Sequence, residues 1–386
     1  MNKKRIAFIA NDMTVGGVEQ ALVKLSKALD YDNYSYVLWL VQKEGPLLDK
    51  LDSRMEVREL GKAVPLIQLL CHGKIRSLVR GICSRTMARR YAENWRLNQW
   101  YTAQCTLRVS EEFECVIAYH GTTSAVTASA LYNIKAKKRV LWAHGDHRIA
   151  QEDICFFYKQ YRKFDKIYCV SQAVRCDFIN MFPDTAEKTE VFHNIVDCEE
   201  IRRKAQEPIE IQMKSPSLVT VGRLAKEKGQ EMIPEIVRML LDSGCEVYWY
   251  LVGDGEKRAE IEESIIKYGV EKNVFLLGTK ENPYPYIKNC DIYVQPSFTE
   301  GYCTTTMEAK ILCKPIVTTD APGMREQFVS GENGLIVNAM TPEALAQGIK
   351  TLLDHPEIME KFRNALKKES YDTTKELQKL YDLIES

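Results

Sequence analysis

Ile292-Tyr293-Val294-Gln295-Pro296-Ser297-Phe298-Thr299-Glu300-Gly301-Tyr302-Cys303-Thr304-Thr305-Thr306-Met307-Glu308 reads as three successive elements. Ile292-Tyr293-Val294 is β-branched and aromatic, as a buried strand requires. Pro296-Ser297 ends it, Glu300-Gly301 occupies a loop, and the threonine-led run opens a helix. Strand, loop and helix in that order make the repeating unit of a parallel sheet, and ligands of such sheets sit outside the carboxyl ends of the strands. Glu300 and Glu308 are separated by seven residues, which puts one carboxylate in the loop and one on the helix. The helix start aims free N–H groups and a positive dipole end at the same crevice, which suits a phosphate. Thr305-Thr306-Met307-Glu308 also has the form of a capping box, in which Glu308 closes the first turn on itself.

The alternation extends outward to both ends of the chain. In the second half, apolar runs at Leu218–Val221, Val247–Val252, Val274–Leu277, Ile292–Val294, Ile316–Val317 and Leu335–Val337 read as strands. The first half repeats the pattern at Ile6–Ile9, Tyr36–Leu40, Val116–Ala118, Val140–Trp142, Ile167–Val170 and Val191–Phe192. Helical spacing such as Val18-x-x-Ala21-Leu22-x-x-Leu25 separates these runs. The prediction is an α/β fold built from two copies of one architecture, each around a parallel sheet. A length of 386 residues exceeds one ordinary core. Cys198–Pro216 is charged and short of apolar periodicity, so the boundary is expected near residue 210, giving domains 1–210 and 211–386. Pro342–Ser386 reads as helices closing the second domain.

Lys+Arg 53 against Asp+Glu 53 leaves no global field to draw the protein onto nucleic acid, so a phosphorylated ligand must be held by local groups. The twelve cysteines include no Cys-x-x-Cys pair and no histidine partners at metal spacing, and they fit a reducing cytoplasm. Met1-Asn2-Lys3-Lys4-Arg5 runs into Ile6-Ala7-Phe8-Ile9, a strand's length of apolar residues, so neither a signal core nor a membrane span is expected. Between Gly61 and Arg108 nine basic residues, Lys62, Lys74, Arg76, Arg80, Arg85, Arg89, Arg90, Arg96 and Arg108, face only Glu93. Leu66, Leu70, Val79, Ile82, Trp95, Trp100 and Tyr101 are interleaved with them, a pattern that suits peripheral contact of 61–108 with an anionic membrane. The alternative is a solvated helix pair packed on the first domain.

Four further clusters stand at strand ends. Ile6-Ala7-Phe8-Ile9-Ala10-Asn11-Asp12 leads to Gly16-Gly17, where backbone can approach a phosphate or sugar closely, although a Gly-Gly turn is also common punctuation. The Gly-x-Gly-x-x-Gly spacing of dinucleotide sites is absent. Leu218-Val219-Thr220-Val221-Gly222-Arg223 through Lys228-Gly229 places the cations Arg223 and Lys228 in one loop, with Lys226 between them reading as a solvated basic residue. At an effective dielectric of about 20, each gains on the order of 4 kcal/mol from an anion at about 4 Å before desolvation. His144, in Trp142-Ala143-His144-Gly145, follows a strand, as either a crevice residue or a structural one. Leu251-Val252-Gly253-Asp254-Gly255 reads as a tight structural turn. Asp30-Tyr31-Asp32 has a metal-pair spacing but follows a helix and reads as a solvated turn, so no essential metal is expected.

Taken together, Val221-Gly222-Arg223 through Lys228-Gly229, Leu251-Val252-Gly253-Asp254-Gly255 and Pro296-Ser297-Phe298-Thr299-Glu300-Gly301-Tyr302 through Glu308-Ala309 resemble the GT-B glycosyltransferases of family 4, the glycosyl transferases group 1 type. Trp142-x-His144, Cys169-Val170-Ser171 and Asn194-Ile195-Val196-Asp197 support the resemblance, which covers nearly the whole chain. Tyr302-Cys303 stands where that family often has Phe-Gly, and Lys310 and Cys313 replace its usual small residues.

The resemblance implies two Rossmann-like domains facing each other across a central cleft, the first on the acceptor side and the second holding a nucleotide diphosphate sugar. It gives Arg223 and Lys228 the donor diphosphate, Glu308 the ribose hydroxyls and Glu300 the transferred sugar. Backbone N–H groups of Gly301, Tyr302, Cys303, Thr304 and Thr305 hold sugar and phosphate, Gly16 and Gly17 close over the donor, and His144 lies near sugar and acceptor. The implied activity is retaining transfer of a hexose or N-acetylhexosamine, with UDP as the expected carrier and no cofactor beyond the co-substrate, onto a polysaccharide or lipid-linked glycan at the inner face of the cytoplasmic membrane. A nucleotide-sugar epimerase of the same fold and a non-catalytic sugar-nucleotide-binding subunit are the alternatives.

Overall fold

A computed structural model describes residues 3–61, 75–106, 108–121, 124–145 and 151–386. The chain divides into two compact units, Met1–Ile195 with Thr373–Ser386, and Val196–Asp372. Among the described residues the first is built on seven strands, β1 (Lys4–Ala10), β2 (Tyr34–Leu40), β3 (Glu56–Glu59), β4 (Glu112–Ala118), β5 (Lys135–Ala143), β6 (Lys166–Cys169) and β7 (Thr189–Val191). The second has six, β8 (Ser217–Val221), β9 (Tyr248–Val252), β10 (Val274–Leu276), β11 (Ile292–Gln295), β12 (Ile316–Thr318) and β13 (Leu335–Ile336).

Every named pairing is parallel, in the orders β3-β2-β1-β4-β5-β6-β7 and β10-β9-β8-β11-β12-β13. Helices cover both faces, which is why the strands are apolar without interruption. In β1, Ile6 to Ala10 are all fully buried. In the second unit alternate residues serve opposite cores. Leu218, Trp249, Leu251, Ile292 and Val294 pack toward the helices Ile233–Asp242 and Pro342–Asp354, whereas Val219, Tyr250, Val252 and Tyr293 face the other way. In each sheet the strand order reverses once, between β1 and β4 and between β8 and β11. These are the places where side chains at strand ends can surround a ligand.

The α/β expectation holds, with three local corrections. Strand β3 was not anticipated, because Glu-Val-Arg-Glu at a sheet edge carries the charges that keep edges from pairing further. The unit boundary falls at Ile195/Val196 instead of near residue 210. Val196 and Ile201 pack on Met307, Ile311 and Tyr371, and Asp197 caps the helix Cys198–Lys204, so this segment is bound to the second unit from its start.

The helix Glu376–Glu385 belongs to the first unit, not the second. Its buried Leu377, Leu380 and Ile384 share one face. Tyr381 stacks on Tyr34 with centroids 5.0 Å apart, and Lys379 donates to the Val191 carbonyl at 2.7 Å.

The basic segment is only partly described, Lys62, Lys74 and the side chain of Arg76 lying outside the described residues. Arg80 is not a surface charge. Its guanidinium donates to the carbonyls of Gln104 and Tyr132 at 2.7 Å each and to the Asn133 side chain, and burial pulls its pKa down to about 10. Arg89 and Arg90 are exposed, as are Val79, Ile82 and Trp95. Among the described residues no helix is long and apolar enough to cross a membrane.

Candidate functional site

At the β8/β11 reversal of the second unit, two loops are zipped together. The first, after β8, carries Arg223 and then the short turn Lys226–Lys228. Gly229 follows with φ of +66°, and a Cβ there would lie 2.2 Å from the Pro296 carbonyl oxygen, so only glycine lets this turn reach the loop after β11. The Phe298 N–H donates to the Glu227 carbonyl at 2.9 Å and closes the contact.

This zipping delivers Lys228 to Glu300. The ammonium lies 2.8 Å from Oε1 and 2.9 Å from Oε2, with the carboxylate 7% and the lysine side chain 24% exposed. Glu300 is also oriented from below. Ser297 donates its hydroxyl to Oε1 at 2.7 Å, Gln295 donates to Ser297 Oγ at 2.8 Å, and the Tyr293 hydroxyl donates to Gln295 Oε1 at 2.8 Å. Burial alone would pull Lys228 down, yet the Glu300 carboxylate outweighs it and holds the lysine above its usual range. Gln295 and Ser297 are fully buried polar residues. Their signal in the sequence is a polar pair at the end of an otherwise apolar strand.

Arg223 is not joined to this pair. It stands 67% exposed and donates to Glu227 Oε1 at 2.7 Å. Gly301 and Tyr302 lead to Cys303, the N-cap of the helix Thr304–Ile311, which makes no side-chain cap bond. Thr305 donates to Gln295 Oε1 at 3.2 Å and also meets Cys303 Sγ at 3.3 Å. Burial first, and the Glu300 charge second, push the Cys303 thiol up to about 11, so it stays protonated at neutral pH.

The capping-box reading of Thr305 to Glu308 does not hold. The helix begins two residues earlier, and Thr306, not Thr305, reaches back with its hydroxyl to the Cys303 carbonyl at 2.8 Å. Glu308 lies in the second turn, buried, with the Tyr284 hydroxyl donating to Oε1 at 3.3 Å. Lys310 is buried against Glu369 at 2.9 Å, and Cys313 takes a left-handed φ of +53° just past the helix end.

The β1/β4 reversal of the first unit makes a second crevice. Gly16 caps the helix Gly17–Ala28 in an extended conformation, and a Cβ on it would meet Glu19 Oε2 at 2.1 Å. The Glu19 carboxylate lies 3.2 Å from His120 Nε2, and the Asn11 N–H donates to His120 Nδ1 at 2.9 Å. That bond makes Nδ1 the acceptor and leaves Nε2 to carry the proton toward Glu19. With both nitrogens so engaged, His120 holds the loop and is not a free base. His144 stands beside it through Tyr119, whose ring centroid is 4.5 Å away, and lies parallel to Trp142.

Sequence reasoning missed Glu19 and His120. Val116-Ile117-Ala118-Tyr119-His120-Gly121 has the same strand, histidine and glycine order that marks His144. Asp30-Tyr31-Asp32 is a turn with Asp30 Oδ1 accepting from the N–H groups of Asp32 and Asn33, but it is solvated only at its aspartates, since Tyr31 is buried. Among the described residues no three histidine, cysteine, aspartate or glutamate side chains gather as metal ligands.

Comparison with known proteins bears on this arrangement. Residues 201–370 match the family described as glycosyl transferases group 1. An N-acetylgalactosamine-N,N'-diacetylbacillosaminyl-diphospho-undecaprenol 4-alpha-N-acetylgalactosaminyltransferase of Campylobacter jejuni is 29% identical over 208 residues, covering 54% of this chain and 56% of that protein. A capsular polysaccharide biosynthesis glycosyltransferase of Staphylococcus aureus is 28% identical over 141 residues, 36% of this chain and 37% of that one. The chain thus spans between about a third and a little over half of the length of these two curated relatives. Anabaena HepE, solved with UDP and glucose, superposes with a TM-score of 0.72 at 18% identity over 99% of this chain and 100% of its own. S. aureus TarM, solved with UDP, gives 0.71 at 14% identity over 100% of both chains. Likeness at such identities establishes the fold. The chain has the GT-B fold of these glycosyltransferases, and its residues 201–370 are similar to the glycosyl transferases group 1 family.

Proposed function

We propose that the protein is a retaining glycosyltransferase that moves a hexose or N-acetylhexosamine from a nucleotide diphosphate sugar, UDP being the expected carrier, to a polysaccharide or lipid-linked glycan. The observation that carries this reading is the Lys228–Glu300 pair at the β8/β11 reversal, beside the start of the helix Thr304–Ile311. A diphosphate meets there a cation and outward N–H groups, while Glu300 offers a second oxygen to sugar hydroxyls. Arg223, exposed and paired with Glu227, adds a second cation, and Glu308 takes the ribose.

In the reaction, the bond between the anomeric carbon and the diphosphate oxygen breaks with its electron pair leaving on the phosphate. The acceptor hydroxyl attacks on the same face and gives its proton to that departing oxygen, yielding the glycoside and a nucleoside diphosphate. Negative charge grows on the phosphate as the bond stretches, so attraction to Lys228 is stronger in the transition state than before it. Glu300 orients the sugar and offsets the positive charge building at its anomeric carbon. The buried, protonated Cys303 is not called on as a nucleophile.

The first unit, with His144, is assigned to the acceptor, while its Gly16 and Gly17 are assigned to the donor. The relatives' names point the same way, one acting on a diphospho-undecaprenol glycan and one in capsule synthesis. Peripheral contact with the inner face of the cytoplasmic membrane through Arg89, Arg90 and the exposed Trp95 fits such an acceptor. The reading needs no resident cofactor or metal.

The test is a panel of nucleoside diphosphates scored by thermal stabilisation, followed by transfer from the matching labelled sugar nucleotide. A ligand at 100 times its dissociation constant adds about 2.7 kcal/mol. Retention of the donor's anomeric configuration in the product, read by NMR, supports the full reading. Epimerised donor without transfer, or binding without turnover across acceptors, would replace it.

A further inference from the structure

We propose that Gln327 and Lys310 are positioning residues that aim the phosphate-binding start of the helix Thr304–Ile311, an inference that rests on the transferase reading above. The Cys303 carbonyl is the key observation. It accepts from the Gln327 side-chain amide at 3.1 Å and from the Met307 N–H at 3.4 Å, and the Thr306 hydroxyl, 2.8 Å away, shares its one proton between this carbonyl and Gln327 Oε1. In a planar trans peptide, the C=O of one residue and the N–H of the next point in opposite directions. The donors holding the Cys303 carbonyl inward therefore turn the Thr304 N–H outward from the helix start. That N–H is one of the groups the proposed function assigns to the donor.

Gln327 is itself gripped at two points. Its Oε1 lies 2.7 Å from Thr306 Oγ1, the second acceptor for that hydroxyl's one proton, and its backbone carbonyl accepts from the Lys310 ammonium. Thr306 and Lys310 lie one turn apart on the same face of the helix, so a single face fixes both the side chain and the main chain of residue 327. Cys303, Thr306, Lys310 and Gln327 are all 5% exposed or less. In such surroundings moving any of these side chains away strands a buried polar group, which holds the network in place.

The lysine charge is met within the same unit. Glu369 pairs with it at 2.9 Å and is held in turn by the Asn333 amide at 2.6 Å, and the rings of Phe328 and Tyr371 lie 5.1 and 5.6 Å from the ammonium. An apolar residue at position 310 would anchor the helix at lower desolvation cost. What the lysine adds is a fixed direction for the Gln327 main chain. Neither residue touches the reacting atoms; both act through the Cys303–Thr304 peptide.

Gln327→Leu keeps the volume and removes both side-chain bonds. Steady-state transfer and the melting shift produced by each nucleoside diphosphate are measured on the full chain. The KM for the donor is expected to rise about tenfold, as loss of one buried hydrogen bond implies, with the acceptor KM unchanged and the nucleotide-induced shift reduced. Gln327→Glu, which still accepts from Thr306 but cannot donate to the Cys303 carbonyl, should give the same result and serves if the leucine variant does not fold. Lys310→Met should move the donor KM in the same direction by a smaller factor. A lower melting temperature with donor KM and nucleotide shift unchanged would make the network purely structural and overturn the inference. A wild-type protein that responds to no nucleoside diphosphate overturns the transferase reading and this inference with it, whereas a responsive wild type with unaltered variants overturns this inference alone.

Discussion

The Lys228 ammonium sits between the two carboxylate oxygens of Glu300, 2.8 and 2.9 Å away, and neither group is more than a quarter exposed. The two side chains form one electrostatic unit, so their variants should not be additive. Lys228→Ala leaves a carboxylate buried among Ser297 and Gln295 and is expected to cost about 3 to 5 kcal/mol of stability. Glu300→Gln keeps the Ser297 contact and should fold while transfer falls by about 10² or more. The double variant should lose no more activity than the worse single one; full additivity in kcat would separate the roles. Because the lysine is held above its usual range, the pair's contribution is complete below about pH 10.5 and is lost as pH rises through the higher folded value.

Glu19 and His120 fix the first unit's loop through Asn11. Glu19→Gln still accepts from His120 Nε2–H and should change denaturant stability little. Glu19→Ala removes the acceptor and is expected to cost about 1 to 2 kcal/mol. Gly16→Ala should resemble the second of these, because its methyl would take the space that Glu19 Oε2 occupies. A Gly16→Ala protein as stable as the parent would refute that account.

The final helix is fastened by acid-sensitive chemistry. Burial would raise the Glu376 pKa, but the His193 and Lys379 contacts prevail and bring it down to about 2. A depressed carboxylate contributes stability present above its unfolded value near 4.5 and lost as pH falls toward 2. The contribution is on the order of 3 kcal/mol. Limited proteolysis should thus leave Thr373–Ser386 protected at pH 7 and release it earlier than the rest at pH 3. Glu376→Gln should flatten that pH dependence; an unchanged profile would place the acid-labile group elsewhere.

Much of this was legible because parallel strands buried on both faces are uninterrupted apolar runs. The six strands of the second unit all lie at the expected runs, and Gly16-Gly17, Gly229 and Glu300 follow strands at the order reversals. What was hidden depends on distance along the chain. Leu377, Leu380 and Ile384 show that the last helix has an apolar face but not which core it joins. The capping box was misread because Thr306 and Gln327, far apart in sequence, meet on the Cys303 carbonyl. Arg80 looked like its exposed neighbours, since charge in a sequence carries no sign of the carbonyls waiting for it.

That difference among the arginines sharpens the membrane prediction. Arg80 is bound to Gln104, Tyr132 and Asn133, so Arg80→Ala should loosen the packing of the helices Ile75–Arg90 and Trp95–Ala103 without testing lipid contact. Arg89 and Arg90 are exposed at the end of the first of these helices, and Trp95, 58% exposed, carries Arg96 over its ring at 4.7 Å. A basic residue near an anionic surface contributes about 1 kcal/mol, so Arg89→Gln with Arg90→Gln should weaken partitioning onto phosphatidylserine vesicles roughly thirtyfold at low salt. Raising the salt should erase the difference, because the attraction is screened within about 10 Å at 0.1 M. Trp95→Ala should weaken binding by a factor that salt does not change, since its contribution is apolar burial in the interface. Co-sedimentation with vesicles distinguishes these outcomes. Equal partitioning of the parent and the double arginine variant at low salt would leave the basic helix pair as a solvated surface of the first unit.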